Sequence, residues 1–436
     1  MKKALLYIII ASAGFVSCKK DKTVFSQTPD ERVNATLTAY QDSLTKSPYG
    51  WKGLIFPSGL HGGVFSFYFQ FNNSNRVQMF SDFDSVSAVT MMESSYRLKA
   101  LQQPCLIFDT YCYVTVLADP DASVNGGAYG SGLSSDFEFA IDSVKDDTIK
   151  LTGRLHGSKA ILVKATQQEK ADYYNKKHTN RLFDNINKYI TYFKRVTIGG
   201  VQYEVLVNTK NRTVTISWID GNGNAHVVTT GYYYTATGVG FAPPVNLGTL
   251  LLYGFDNITW DNTNTVMTVT VNGTVSTVAQ AGQPISPDVN APGRWWQYAV
   301  DQGGYWSSYQ GFHQNGVDDA FGITQIASFY SLIYWPGYGT SGNTAYDVAG
   351  FTKLTNNALS LPYGHAYRQP TTYSTGRTVF AYLGYLGTIP SADSIPVAKT
   401  RVQFSDGNGY YFVQKDSTHY DMVGAKDAKT WMHWQY

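Results

Sequence analysis

Residues 63–82 read GVFSFYFQFNNSNRVQMFSD, with Phe65, Phe67, Phe69 and Phe71 at every second position. A helix would scatter those four rings around its circumference, whereas a strand puts them all on one face. Asn72 to Asn75 supply turn residues and Val77 to Phe80 return, so the stretch reads as a β-hairpin. The same grammar recurs along the chain. DFEFAIDSVKDDTIKLTGRLHGSKAILVKAT (136–166) holds three or four short strands, with Phe137, Phe139 and Ile141 pointing one way. YEVLVNTKNRTVTISWIDGNGNAHVVTT (203–230) reverses at Asn208–Asn211 and again at Asp220–Asn224. Asn272-Gly273 is the strongest short turn signal, and TRVQFSDGNGYYFVQKD (400–416) reads as a further hairpin across Asp406–Gly409. Strand after strand with short links predicts a mainly β protein, built as up-and-down barrel or curved-sheet or sandwich domains with a few capping helices. The 40 glycines and 33 tyrosines suit turns and strands better than helices.

Helices are expected in two places. Thr28-Pro29-Asp30-Glu31 combines a capping residue, a proline at the first helical position and a capping-box glutamate. That helix should end by Ser47, because Pro48 disfavours helical geometry before it. Thr166 and Glu169 form a second capping box. Leu182, Phe183, Ile186, Tyr189, Ile190 and Phe193 continue at helical spacing, which predicts a long helix broken near His178–Asn180. The segments divide into an N-terminal β-meander domain (28–195), a second β domain (196–285) and an aromatic-rich C-terminal β domain (286–436), with GQPISPDVNAPG (282–293) as a linker. A weak internal echo, at YRLKALQQPCLIFDTY and YYYTATGVGFAPPVNLGTLLLYGFD, leaves open either a duplicated fold or convergent β composition.

The first residues give an address. Lys2 and Lys3 precede an apolar run from Ala4 to Ser17, shorter than the about 20 residues a spanning helix needs. This is the layout of a secretory signal over 1–17. Phe15-Val16-Ser17-Cys18 is similar to a bacterial lipobox, in which Cys18 becomes the acylated amino terminus and 18–27 a tether. An ordinary signal peptide cut at the same place is the bland alternative. Acylation at Cys18 would hold the protein on a membrane, since stable anchoring takes more than one chain. Cys105 and Cys112 would bridge only if the chain reverses near Asp109-Thr110.

A net charge of +2 gives no electrostatic case for nucleic acid. There is no His-Glu-x-x-His, no Gly-x-Ser-x-Gly and no P-loop, and the eight histidines are scattered. Asp416, His419 and Asp421 lie close in sequence, but a solvated strand end explains them. Asp220–Asn224 spaces oxygens like a calcium loop yet lacks the glycine and acidic residue an EF-hand requires. Asp119, Asp121 and Asn125 fit a cation loop somewhat better, although Asx-rich turns arise for backbone reasons alone. No catalytic residue, metal ligand or cofactor is assigned. The aromatic clusters remain: GRWWQYAVDQGGYWSSYQGF (293–312) and FYSLIYWPGYG (329–339). Such rings either fill a β core or form a surface that grips a glycan, a peptide or a partner. Trp306, Tyr309, Trp335 and Tyr338, flanked by glycine and proline, are the set expected at the surface.

The stretches YGWKGLIFPSGLHGGVFSFYFQFNNSNRVQMFSDFD, SSYRLKALQQPCLIFDTYCYVTVLADPDASVNGG and GLSSDFEFAI resemble a family of Bacteroidota outer-membrane lipoproteins known only as a domain of unknown function. The likeness is specific over about residues 28–170 and vaguer beyond. Members are typically encoded near Sus-type TonB-dependent importers. The resemblance therefore implies a lipid-anchored accessory of the outer membrane, displayed on the cell surface or the periplasmic face. Its task would be to bind a nutrient or dock on an importer. A surface hydrolase of the same locus is the alternative. The resemblance carries no catalytic residues.

Overall fold

In the computed structural model, which describes residues 28–248 and 250–436, the alternating stretches are strands. The cysteine at position 18 and the signal segment lie outside the described residues. The chain divides into two compact units. Of the described residues, one comprises 28–59 with 67–81 and 90–171; the other comprises 60–66, 82–89 and the rest from 172 on. No helix among the described residues is long and apolar enough to cross a membrane.

The first helix, α1 (Pro29–Thr45), starts as its sequence demands. Thr28 Oγ1 accepts from the Glu31 N–H at 3.3 Å, and the Glu31 carboxylate accepts from the Thr28 N–H at 2.8 Å. Such a cap is worth about 1 kcal/mol. Strands β1 (Trp51–Phe56), β2 (Phe65–Phe71), β3 (Arg76–Ser81), β4 (Met92–Ala100), β5 (Pro104–Phe108), β6 (Glu138–Lys145), β7 (Thr148–Gly153) and β8 (Lys159–Lys164) follow in sequential antiparallel order. They close into a barrel as β8 returns to β1. An eight-stranded barrel is just narrow enough for side chains to fill. Phe67, Phe69 and Phe71 do so, each ring 5.4–5.8 Å from the next. Phe137 departs from the expected alternation: it precedes β6 and is exposed. Two short helices, α2 (Tyr113–Leu117) and α3 (Ala122–Asn125), fill the long β5–β6 connection. Cys105 on β5 and Cys112 at the start of α2 are both buried free thiols.

The Thr166–Glu169 box forms, opening α4 (Gln167–Tyr174). The expected long helix does not continue. The chain leaves helical geometry after Tyr174, and Leu182–Lys188 is a 3-10 helix. Phe183, Ile186 and Tyr189 sit three apart, the repeat that eclipses side chains on a 3-10 turn rather than an α-helix. All three are buried in the core of a second barrel. The Tyr189 hydroxyl donates to the Val278 carbonyl at 2.6 Å and accepts from the Met267 N–H at 2.7 Å, so tertiary bonds fix this turn.

That barrel is β9 (Phe193–Ile198), β10 (Val201–Asn208), β11 (Thr213–Ile219), β12 (Ala225–Tyr234), β13 (Val239–Asn246), β14 (Leu251–Asp261), β15 (Val266–Val271) and β16 (Thr274–Ala281). It too runs in sequence order and closes, β16 pairing with β9. Asn272 and Gly273 both take positive φ, as a two-residue hairpin turn of this kind requires.

After the 282–290 loop comes a helix the sequence reading did not anticipate, α5 (Ala291–Gln302). Pro292 lies in its first turn; Ala291, Trp295 and Ala299 repeat every four residues on its buried side, and Gly303 ends it in left-handed geometry. Trp295 packs 4.8 Å from both Tyr334 and Phe412 in the middle of the third sheet. The sheet's strands are β17 (Trp306–Ser308), β18 (His313–Gln314), β19 (Phe329–Ser341), β20 (Thr344–Thr355), β21 (Ala358–Tyr367), β22 (Thr371–Thr372), β23 (Thr378–Val379), β24 (Tyr382–Gly387), β25 (Tyr410–Gln414), β26 (His419–Gly424) and β27 (Thr430–Gln435). Their order is β22-β23-β25-β26-β27-β17-β19-β20-β21-β24, with β18 beside β27. Strands β23 and β24 stand near opposite ends of that order, yet only Phe380 and Ala381 separate them in the chain, so the sheet curls round its core. The hairpin expected across Asp406–Gly409 is a helix-to-strand turn: α6 (Ser394–Phe404) precedes β25. Val397, Thr400 and Phe404 recur on its buried side, a spacing hidden by the strand-like residues between them.

Candidate functional site: an outward aromatic strip

The strip begins with an irregular strand. Trp335 pairs with Val348 and Gly339 with Tyr346, so residues 336–338 of β19 face a single residue, Asp347, on β20. Asp347 is only 2 % exposed, and its carboxylate accepts three hydrogen bonds. The donors are the Gly337 N–H at 2.7 Å, the Tyr334 hydroxyl at 2.7 Å and the Trp296 indole at 2.8 Å. Gly337 has φ +61°, which a residue with a side chain rarely adopts. This bulge sets Tyr338 edge-on to Trp335, ring centroids 5.3 Å apart, and Tyr346 follows at 6.1 Å. Tyr305, one residue before β17, packs 5.0 Å from Trp335 on the other side. Tyr309 and Tyr330 meet at 5.7 Å, and Tyr305 lies near enough to add to the burial and Tyr330 contact that raise the Tyr309 hydroxyl. Tyr436 packs instead against Tyr298 at 5.0 Å and the buried Trp306 at 5.5 Å, its hydroxyl raised by burial, Tyr298 and Tyr305.

Of the four aromatics expected at the surface, Tyr309 (43 % exposed) and Tyr338 (37 %) are exposed and Trp335 is partly so. Trp306 is not: it is fully buried. Its indole donates to the Trp295 carbonyl at 2.8 Å, and it packs against Trp295, Tyr298, Tyr420 and Tyr436. The reason is strand parity. Tyr305 and Trp306 are adjacent and must face opposite ways, so burying Trp306 turns Tyr305 outward. Flanking glycines said nothing about which ring would be chosen. Tyr330 and Tyr346 were missed because they reach the strip through pairing and packing with distant segments.

The polar motifs are spent on their own turns. Asp220 accepts from the Asn222 and Asn224 N–H groups and contacts His226 Nε2 at 2.9 Å. Asp121 caps Ser123, Asp119 accepts from the Asp121 N–H, and the Asn125 amide donates to the Val116 and Asp119 carbonyls. No group of three or more metal-ligating side chains is found among the described residues. Asp416 holds the His419 ring at 2.9 Å, while Asp421 turns to Tyr192, Lys415 and His433. Burial opposes ionisation of Asp421, but Lys415, His433 and the Tyr192 hydroxyl outweigh it and hold the carboxyl at about 2.

Glu204 in the same unit behaves oppositely. Burial pushes it up to about 7, against the Ile285 N–H at 3.0 Å and the charges of Arg195 and Lys194. Unfolded, it would titrate near 4.5. Between those values the folded chain binds more protons, so this group's contribution to stability falls as pH rises from 4.5 to 7. Glu204→Gln is therefore expected to raise the melting temperature by a few degrees at about pH 8 and to change it little at about pH 4. Thermal scans of both proteins across that range check this; an equal shift at both ends would contradict it.

A family model, Domain of unknown function (DUF4302), matches residues 21–262, more than half of the chain. The chain belongs to this family. The DUF4302 match covers the first barrel and most of the second, and the aromatic strip lies beyond it. No curated protein matches the chain. Among solved structures, a DNA polymerase sliding clamp from Pseudomonas aeruginosa with ligand is 8% identical, covering 93% of this chain and 97% of that one, with a TM-score of 0.14. A sliding clamp from Bacillus subtilis is also 8% identical, over 93% and 96%, at 0.14. Transferrin binding protein B from Neisseria meningitidis is 6% identical, over 88% and 73%, at 0.13. Likenesses this weak carry no statement about the fold or function of this DUF4302 protein.

Proposed function

We propose that this protein is a lipid-anchored accessory of a Bacteroidota outer membrane that binds a neutral glycan for import, through the strip centred on Tyr305, Trp335 and Tyr338. The observation that carries the reading is a row of partly exposed rings with no cation beside it in sequence: residues 302–346 contain no lysine or arginine. Sugar rings offer apolar C–H faces with polar rims, and tyrosine and tryptophan offer apolar planes with polar tips. A nucleic acid would call for a basic face, and protein hot spots enlist arginine beside their aromatics. The apolar run ending at Cys18, and the resemblance to lipoproteins encoded near Sus-type importers, support the outer-membrane setting.

Affinity electrophoresis of the full chain through gels containing neutral or acidic polysaccharides tests the reading. Retardation by a neutral polymer, reduced in Trp335→Ala, is the expected result. Retardation by none, or equal retardation of the variant, would refute it. Release of reducing ends from the retarding polymer would replace binding with hydrolysis. Co-purification with a TonB-dependent importer that Trp335→Ala abolishes would make the strip a docking surface instead.

A further inference from the structure

The rings of the outward strip do not make a flat platform. Tyr305 and Trp335 meet at an interplanar angle of 49°, Trp335 and Tyr338 at 79°, and Tyr338 and Tyr346 at 44°. Their centroids follow one another at 5.0, 5.3 and 6.1 Å, so each ring touches the next while its plane turns away. All four are at least partly exposed.

This turn is built into the backbone. On a regular strand, residues three apart point to opposite faces. The bulge at 336–338 cancels that rule: Gly337, at φ +61°, accommodates the extra residue, and Tyr338 meets Trp335 edge-on. The buried Asp347 carboxylate holds the bulge through the Gly337 N–H at 2.7 Å. Tyr346 lies opposite Gly339 on β20 and uses the room that glycine leaves. A Cβ at 339 would stand 2.8 Å from the Tyr346 hydroxyl.

A sugar stacks on an aromatic ring only when the two planes face each other. Chains with β-1,4 links keep successive sugar planes nearly parallel and present a flat ribbon. Such a ribbon can lie on one ring of this row but not on its neighbours. Chains with α-1,4 or β-1,3 links turn each sugar against the last and coil into a helix. We propose, resting on the neutral-glycan reading of the strip, that its ligand is a helical glycan chain, bound along Tyr305, Trp335, Tyr338 and Tyr346, and not a flat ribbon. A chain already curved engages several rings without the cost of being bent to fit.

Four hexasaccharides of equal length, titrated separately into the full chain by calorimetry, test this. Maltohexaose and laminarihexaose represent helical chains; cellohexaose and mannohexaose represent ribbons. Saturable binding of at least one helical probe is expected, at least about tenfold tighter than either ribbon, since the ribbon forfeits its stacking on the neighbouring rings. Tyr338→Ala, which removes the ring turned furthest from its neighbour, should weaken the tighter probe severalfold at an unchanged melting temperature. A ribbon bound as tightly as the helical probes, or undiminished binding in Tyr338→Ala, would overturn the proposal while leaving the neutral-glycan reading in place. Silence from all four would also overturn it, and retardation by a neutral polymer in the affinity gels would then still uphold that reading.

Discussion

Trp306→Ala is expected to destabilise the protein by about 3–5 kcal/mol, whereas Trp335→Ala should leave stability nearly unchanged. The two tryptophans sit on adjoining strands and were equal candidates for a ligand surface. Their surroundings decide differently. Removing the Trp306 indole empties a space bounded by Trp295, Tyr298, Tyr420 and Tyr436. It also removes the indole hydrogen bond to the Trp295 carbonyl at 2.8 Å. Trp335 is partly exposed and loses mainly its contacts with Tyr305 and Tyr338. Urea unfolding of both variants is the check. A fall in midpoint for Trp306→Ala with an unchanged slope is expected. Equal midpoints for the two variants would show that the sheet does not pack as described.

Asp82→Ala should be as damaging. Asp82 is 1 % exposed, and its carboxylate accepts from the Ser66 and Tyr234 N–H groups, each at 2.8 Å. It also pairs with Arg212 at 2.8 Å. Arg212 donates onward to the Asp82 and Phe83 carbonyls and lies 4.1 Å over the Phe65 ring. Alanine would strand two buried N–H groups and a buried guanidinium together. Breaking a buried pair from one side costs about 3–5 kcal/mol, because the remaining charge has no water to turn to. The double variant Asp82→Ala/Arg212→Met, which removes both charges, should recover part of that loss. If Asp82→Ala shifted the urea midpoint no more than an ordinary surface substitution, the pair would not be holding the segment 82–89 in place.

Much of this architecture could be read from local pattern. The alternating phenylalanines of β2, the capping boxes at Thr28 and Thr166 and the Asn272-Gly273 turn all act within a few residues, so sequence alone suffices. Barrel closure is another matter. The pairing of Trp51 with Lys164, and of Phe193 with Ala281, joins the two ends of a meander and leaves no local mark. Period misled twice. Phe183, Ile186 and Tyr189 repeat every three residues, which the eye extends into an α-helix; tertiary hydrogen bonds hold them in a 3-10 turn instead. In α6 the β-branched residues around Val397 and Val402 masked a helical repeat.

The aromatic strip was half legible, since abundance drew attention to Tyr309, Trp335 and Tyr338. Parity along β17 would have moved the choice from Trp306 to Tyr305.

The central claim is that the outward strip binds a neutral glycan. Isothermal titration of the full chain and of a Trp335→Ala/Tyr338→Ala double variant, with oligosaccharides from the polymer that most retards the protein, tests it most directly. The expected result is saturable binding that the double variant weakens at least about tenfold, with the melting temperature kept, since hot-spot aromatics carry most of a contact's energy. Binding of equal strength in the double variant, or no heat from any neutral oligosaccharide, would contradict it.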